Sequence, residues 1–318
     1  MTTAITLPEG APEEVVTVAK VRDVDLTPFG FKGSLALITL DNGLDHNRPN
    51  TLGPQSVASL DAAITEAISH SPSAIAVTGK PFIFAAGADL SGLSYLTNRD
   101  QALAIGKLGH DVFRRLGELD IPTFSFINGL ALGGGLEIGL HCSYRTLAST
   151  AFTALPEVFL GLVPGWGGAT LLPQLIGPEK AVQVIILNAL NNNTMMKAKD
   201  ALKLGVVDAV YEPADFLEKS VQFAASILGG STKIERTDYS SDPAWEAALE
   251  TGRAAALKKF GGADLPSPRK ALELIAAAKT NTRSQGFDAE DQVLADLTMS
   301  DPLRASLYAF NLIQKKRK

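Results

Sequence analysis

The sequence predicts an α/β protein of repeated strand–helix turns that runs into an α-helical C-terminal region. Short apolar runs bounded by turn residues alternate with stretches whose apolar residues recur every three or four positions. Helices at such short intervals between strands exclude an all-β fold. Composition then shifts at Gly229-Gly230-Ser231, which divides the chain into a core over 1–228 and a helical region over 229–318. A doubly wound sheet and a spiral of stacked turns both satisfy this pattern.

Taken in order, residues 1 to about 32 carry prolines, glycines and one β-rich run, VVTVAKV, and take no firm assignment. Gly33–Leu40 is a strand closed by the turn residues Asp41-Asn42-Gly43. LDHNRPNTLGP follows as a loop, in which His46 and Asn47 read as polar loop residues. Val57, Leu60, Ile64, Ala67 and Ile68 share one face of a helix over 55–69, and Ala74–Thr78 is a buried strand. The helical period returns over 101–118, Pro122 interrupts it, and Thr123–Ile127 is the next strand. LEIGLHC is helical, and Tyr144–Leu147 and Phe152–Ala154 are short strands. Pro178–Leu190 and Lys197–Leu204 read as helices, Gly205–Tyr211 as a strand and 213–227 as an amphipathic helix. Beyond the composition shift, helices are predicted at Trp245–Phe260, 269–281, 287–297 and 302–313.

The 318 residues suffice for a large core, and 46% hydrophobic with 20% charged residues marks a soluble globular chain. No apolar run approaches the ~20 residues that span a bilayer. A net charge of −5 gives no electrostatic case for nucleic acid, and the basic tail Lys315, Lys316, Arg317 and Lys318 reads as a solvated terminus. Cys142 stands alone, so no intrachain disulfide forms, and its apolar surroundings indicate a buried structural thiol. MTTAITLPEGAPEEVV has neither the arginines of a transit peptide nor an apolar signal core, so the expected location is cytoplasmic. The histidines at 46, 70, 110 and 141 have no metal spacing, and no metal is expected.

Chemistry concentrates between Ile127 and Gly168. Gly133, Gly134 and Gly135 lead into the helical LEIGLHC, where glycine lets a ligand approach the backbone and amide groups at a helix start favour negative charge. Glu137 and Glu157 are carboxylates in otherwise apolar runs. Donors for an oxyanion beside two such carboxylates point to enolate chemistry on a carbonyl compound.

These residues resemble the crotonase (enoyl-CoA hydratase/isomerase) superfamily, whose pattern is NGxAxGGGxE…PExxLGxxPGxGG. Here the matching positions are Asn128, Gly129, Ala131, Gly133–Gly135, Glu137, Pro156, Glu157, Leu160, Gly161, Pro164, Gly165, Gly167 and Gly168. Phe84–Leu90 (FAAGADL) resembles a second family element, FxAGADL, and the likeness runs from about Gly33 to Ile227. It implies the crotonase (ClpP-like) spiral of ββα turns, and a coenzyme A thioester as substrate with no further cofactor. The helical C-terminal region resembles the end of the hydratase part of multifunctional fatty-acid-oxidation enzymes. In those proteins an NAD-dependent dehydrogenase follows, whereas this chain stops at Lys318 and contains no GxGxxG, so it is not expected to reduce NAD.

By the resemblance, the amides of Ala88 and Gly134 form the oxyanion hole, Glu137 orients and deprotonates water, and Glu157 delivers a proton to Cα. Gly165 places the water through its backbone. Arg48, Pro49, Thr51 and Leu52, with Ala86, Ala88, Asp89, Leu90 and Gly134, line the substrate and CoA site. Asp89 is expected to cap a turn and fix the Ala88 amide. Trp166 replaces a residue that is often small in the family, which implies a narrower acyl tunnel, and His141 is expected to be a satisfied core histidine. Enoyl-CoA hydratase is the leading expectation, with Δ3-Δ2-enoyl-CoA isomerase and a non-catalytic acyl-CoA- or partner-binding protein as alternatives. A trimer-based homo-oligomer and β-oxidation dehydrogenase or thiolase partners are further expectations of the likeness.

Overall fold

A computed structural model describes residues 8–315; Met1–Leu7 and the basic residues past Lys315 lie outside it. The VVTVAKV run becomes part of β1 (Val18–Asp25), which pairs antiparallel along its whole length with β2 (Ser34–Asp41). After the loop, α1 (Pro54–Ser69) packs on both strands through the face that carries Val57, Leu60 and Ile64. Then a unit repeats three times. In the first, β3 (Ala74–Gly79) turns into β4 (Phe82–Ala85) and the chain returns through α2 (Arg99–Glu118). In the second, β5 (Thr123–Ile127) and β6 (Gly129–Leu132) lead to α3 (Gly134–His141). In the third, β7 (Tyr144–Ala148) and β8 (Phe152–Ala154) precede the short α4 (Glu157–Leu160) and α5 (Gly168–Ile176).

The core part closes with α6 (Pro178–Val182), a π-helical stretch over Gln183–Asn188, β9 (Met196–Lys197), α7 (Ala198–Leu204), β10 (Ala209–Tyr211) and α8 (Phe216–Leu228). Each repeated unit adds one strand to each of two sheets, whose orders are β1-β2-β3-β5-β7-β10 and β4-β6-β8-β9. This is the expected mixed α/β spiral. Pairing is parallel from β2 to β10 in the first sheet, as strands linked by helical crossovers must be. Asn128 fixes the corner between the sheets: its Nδ2 donates to the carbonyls of Gly79 and Lys80 at 2.9 and 2.7 Å, and its Oδ1 accepts from Gly79 N.

The C-terminal region consists of α9 (Trp245–Lys259), α10 (Pro266–Ala277), α11 (Arg283–Thr298) and α12 (Asp301–Lys315). Two of these start earlier than the sequence pattern suggests. Pro266 occupies the first turn of α10, where a missing N–H costs nothing. Thr282 and Gln285 form a capping box that starts α11 four residues before the apolar period begins. Conversely, Gly205 is the left-handed cap of α7, so the strand predicted over Gly205–Tyr211 shrinks to Ala209–Tyr211. Leu272, Leu274, Ile275, Phe287 and Leu297 join the same buried core as the sheets. Among the described residues, no helix is long and apolar enough to cross a membrane.

Candidate active site

One cavity gathers Ala86, Ala88, Gly134, Glu137, Glu157 and Gly165 beneath an apolar wall that includes Leu90, Ile105 and Leu294. Three of the spiral's returns meet there. The segment after β4 supplies Ala88, the start of α3 supplies Gly134 and Glu137, and α4 supplies Glu157. Leu52 lies in a parallel bridge with Ala88: its N–H donates to Gly87 O, and Asp89 N donates to Leu52 O. That geometry turns the N–H of Ala88 away from Leu52. Gly134 stands at the first position of α3, where an amide has no acceptor within the helix. Both residues line the one cavity.

The Gly133 backbone has φ +50°, and a Cβ there would collide with Glu157 Oε1, so only glycine brings α3 this close to the carboxylate. The sign of charge on the two carboxylates follows from their partners. Glu137 is buried, and its Oε1 accepts from the amides of Trp166 and Gly168 at 2.8 and 2.9 Å. Burial pushes its pKa up to about 7, against the pull of those two donors. Glu157 Oε2 is buried with no hydrogen-bond partner, and burial together with the nearby Glu137 charge holds its pKa well above the ordinary carboxylate range. Two carboxyls so placed share one proton best when Glu157 keeps it. Of the two, Glu137 is the easier to ionise.

The PGWGG turn supplies those donors. Gly167 has φ +105° and leads straight into α5. His141 is buried, with its Nε2 3.0 Å from Trp166 O; burial lowers its pKa to about 3, so it is neutral and donates to that carbonyl. Trp166 itself packs edge-on to Phe113 and against Gly109, where a Cβ would strike the indole. Trp166 lines both the Glu137–Glu157 cavity and a second one lined by Leu52, Val57, Ala88 and Leu108.

Other predicted residues stand further out. Asp89 lines the second cavity, and its carboxylate accepts from Ser91 N at 2.9 Å, capping a turn. Thr51 is half-buried and offers its carbonyl to Thr17 Oγ1. Arg48 and Pro49 are exposed and line neither cavity. Their loop is held by Lys80, a buried ammonium that donates to the carbonyls of Leu44, Asp45 and Arg48. Cys142 is buried and its thiol is pushed up to about 12, as befits an inert structural residue. No group of three or more His, Cys, Asp or Glu side chains among the described residues could hold a metal.

Sequence reasoning missed a second buried cluster next to the first. Glu290 and Asp291 on α11 flank His110 on α2, and Glu290 also accepts from the amides of Gly167 and Thr170. Glu290 sits in an ordinary-looking polar helix period, 133 positions after Glu157 by its number, and carries no motif. Only the packing of α11 on α2 and α5 brings it to the turn.

The enoyl-CoA hydratase/isomerase family model matches residues 30–263. The chain belongs to that family. The fatty acid oxidation complex subunit alpha of Idiomarina loihiensis is 34% identical over 244 residues, covering 74% of this chain and 33% of that protein. The corresponding subunit of Shewanella frigidimarina is 31% identical over 294 residues, covering 89% of this chain and 40% of that protein. This crotonase therefore spans about a third to two-fifths of the length of the curated relatives it matches. In fold it is similar to human mitochondrial delta3-delta2-enoyl-CoA isomerase, with a TM-score of 0.65 over 94% of this chain and 99% of that one at 20% identity.

Proposed function

We propose that this chain hydrates 2-enoyl-CoA thioesters, adding water across the 2,3 double bond to give 3-hydroxyacyl-CoA. The observation that carries this reading is the pair Glu137 and Glu157 in one apolar cavity beside the Ala88 and Gly134 amides, with environments that separate their roles. Ionised Glu137 takes a proton from water as its oxygen attacks Cβ. The thioester oxygen gains charge as the enolate forms, between the two amides at the positive end of α3, each such donor being worth about 2.7–4 kcal/mol. Protonated Glu157 then supplies Cα. The reaction adds one oxygen and two hydrogens, and a proton passing from Glu137 to Glu157 restores the starting state. Double-bond isomerisation of a 3-enoyl-CoA needs the same oxyanion hole but one carboxylate, which leaves Glu137 without a task. Turnover of 2-enoyl-CoA and 3-enoyl-CoA esters by the pure chain tests the choice: predominant hydration supports it, and isomerisation without hydration overturns it. The relatives are named for fatty acid oxidation, so fatty enoyl chains are the inferred substrate class.

Trp166 is inferred to limit the acyl chain, because its indole separates the two cavities. Trp166→Ala should improve kcat/KM for longer or branched enoyl chains relative to crotonoyl-CoA by about 10-fold or more, the range one or two methylenes command in an apolar pocket. The same change should lower the melting temperature, because removing a buried Trp costs about 3–5 kcal/mol. An unchanged chain-length profile across graded enoyl-CoAs removes Trp166 from specificity.

We also infer a homo-oligomer. The last helix packs on α4 through Leu303 but leaves Tyr308 and Leu312 exposed, and such apolar side chains favour burial against another subunit. Sedimentation velocity should give a species heavier than 33.5 kDa, and a clean monomer contradicts this.

A further inference from the structure

The start of α5 serves two carboxylates at once. Glu137 takes the amides of Trp166 and Gly168, and Glu290 takes those of Gly167 and Thr170 at 2.6 and 2.7 Å. Four consecutive or nearly consecutive N–H groups are thus divided between a residue in the cavity and one from the C-terminal region. Both Glu290 oxygens are occupied as acceptors, Oε1 by Thr170 N and Oε2 by Gly167 N and His110 Nε2, which is the pattern of an ionised carboxylate. His110 lies between carboxylates on both sides, with Nδ1 2.7 Å from Asp291 Oδ1 and Nε2 3.2 Å from Glu290 Oε2. Both ring nitrogens then donate, so the ring is an imidazolium; although burial opposes the charge, the two carboxylates raise its pKa to about 9.

Packing leaves the cluster little freedom. Phe287 stacks on the His110 ring at 4.7 Å, and the Arg114 guanidinium lies over the other ring of that pair, Phe287, at 5.9 Å. Gly286 lets α11 touch Thr170, where a Cβ would collide, and a Cβ at Gly106 would stand 3.0 Å from Asp291 Oδ1. Buried ion groups of this kind cost desolvation and add little to stability compared with apolar replacements. Their geometry serves another end.

We propose that Glu290, braced by His110 and Asp291, is a positioning residue for the hydration reaction: it holds the Pro164–Gly168 turn, and through it the orientation and ionisation of Glu137. The proposal rests on the reading of Glu137 as the base. The charged and titratable groups around Glu137 and His110 are Glu157 from α4, His141 from α3, Arg114 from α2, and Arg283, Glu290 and Asp291 from α11. Of these, the Glu290 charge raises the Glu137 pKa and the His110 charge lowers it. The two halves of the clamp therefore act on Glu137 with opposite sign.

The test compares Glu290→Gln and His110→Gln in the full chain. Turnover of crotonoyl-CoA is followed against pH, and Glu137 ionisation is followed by infrared difference titration, with Glu137→Gln assigning the band. In Glu290→Gln the ionisation of Glu137 and the acid limb of kcat should move to lower pH, with kcat reduced about 10²-fold by the misplaced turn and KM little changed. In His110→Gln the same limb should move to higher pH. If Glu290→Gln does not fold, Asp291→Asn, which keeps every bond to the turn, should move the limb upward by loosening the His110 proton. Shifts in one direction for both variants, or no shift with kcat intact, overturn the proposal. The infrared titration needs no turnover, so a wild-type chain that fails to hydrate refutes the proposed function while leaving the clamp readable.

Discussion

Glu157→Gln is expected to reduce hydration of 2-enoyl-CoA by about 10²–10⁴-fold, the usual contribution of a positioned acid, while CoA-ester binding and folding stay close to wild type. Glutamine matches the buried carboxyl in shape, and Glu157 Oε2 has no hydrogen-bond partner whose loss would unsettle the site. Glu137→Gln should lose as much for a different reason. Its amide oxygen can still accept from Trp166 and Gly168, so the turn holds, but no group remains to take the proton of water. The pH profile separates the two. Wild-type turnover should rise as pH passes about 7, where Glu137 loses its proton, and should fall at higher pH once Glu157 is deprotonated. Glu137→Gln should abolish the rise. Steady-state kinetics of both variants from pH 5 to pH 10 check this, and near-wild-type turnover in either removes that residue from the mechanism.

Truncation after Leu228 is expected to destroy the enzyme altogether. The helices beyond that point bury Leu272, Leu274, Ile275, Phe287 and Leu297 in the same core as the sheets. At about 1.5–3 kcal/mol for each such side chain, five of them carry on the order of 10 kcal/mol, comparable with the whole stability of a typical domain. Removing them also uncovers the face of α2 and α5 on which α11 packs, takes Leu294 and Thr298 out of the cavity wall, and deletes Glu290. The truncated chain should bind apolar dyes, aggregate and lose CoA-ester affinity. A soluble truncated protein with unchanged affinity would mean that the last third is an independent appendage.

Much of the fold was legible because the spiral is written locally. The β-branched runs at Ala74–Thr78 and Thr123–Ile127 became strands as expected, and the long period over 101–118 became most of α2. The short strands β4 and β6 were not, since FIFA and GLAL are too brief to show alternation and are defined only by their pairing within the second sheet, β4 with β6 and β6 with β8. Likewise GATLLPQLI carries an internal Pro173, whose missing N–H argues against a helix in the sequence although the segment folds as one. At the site, Glu137, Glu157 and the glycines announced themselves as a motif. His110, Glu290 and Lys80 did not, because each gains its meaning from partners more than 30 positions away.

The most direct test of the central claim is hydration of crotonoyl-CoA by the purified chain, followed as loss of the conjugated enoyl-thioester absorbance and as appearance of 3-hydroxybutyryl-CoA. Wild type should form the hydroxy ester, and the Glu137→Gln/Glu157→Gln double variant should bind the thioester without converting it. A wild-type chain that binds enoyl-CoA yet forms no hydroxyacyl product contradicts the account.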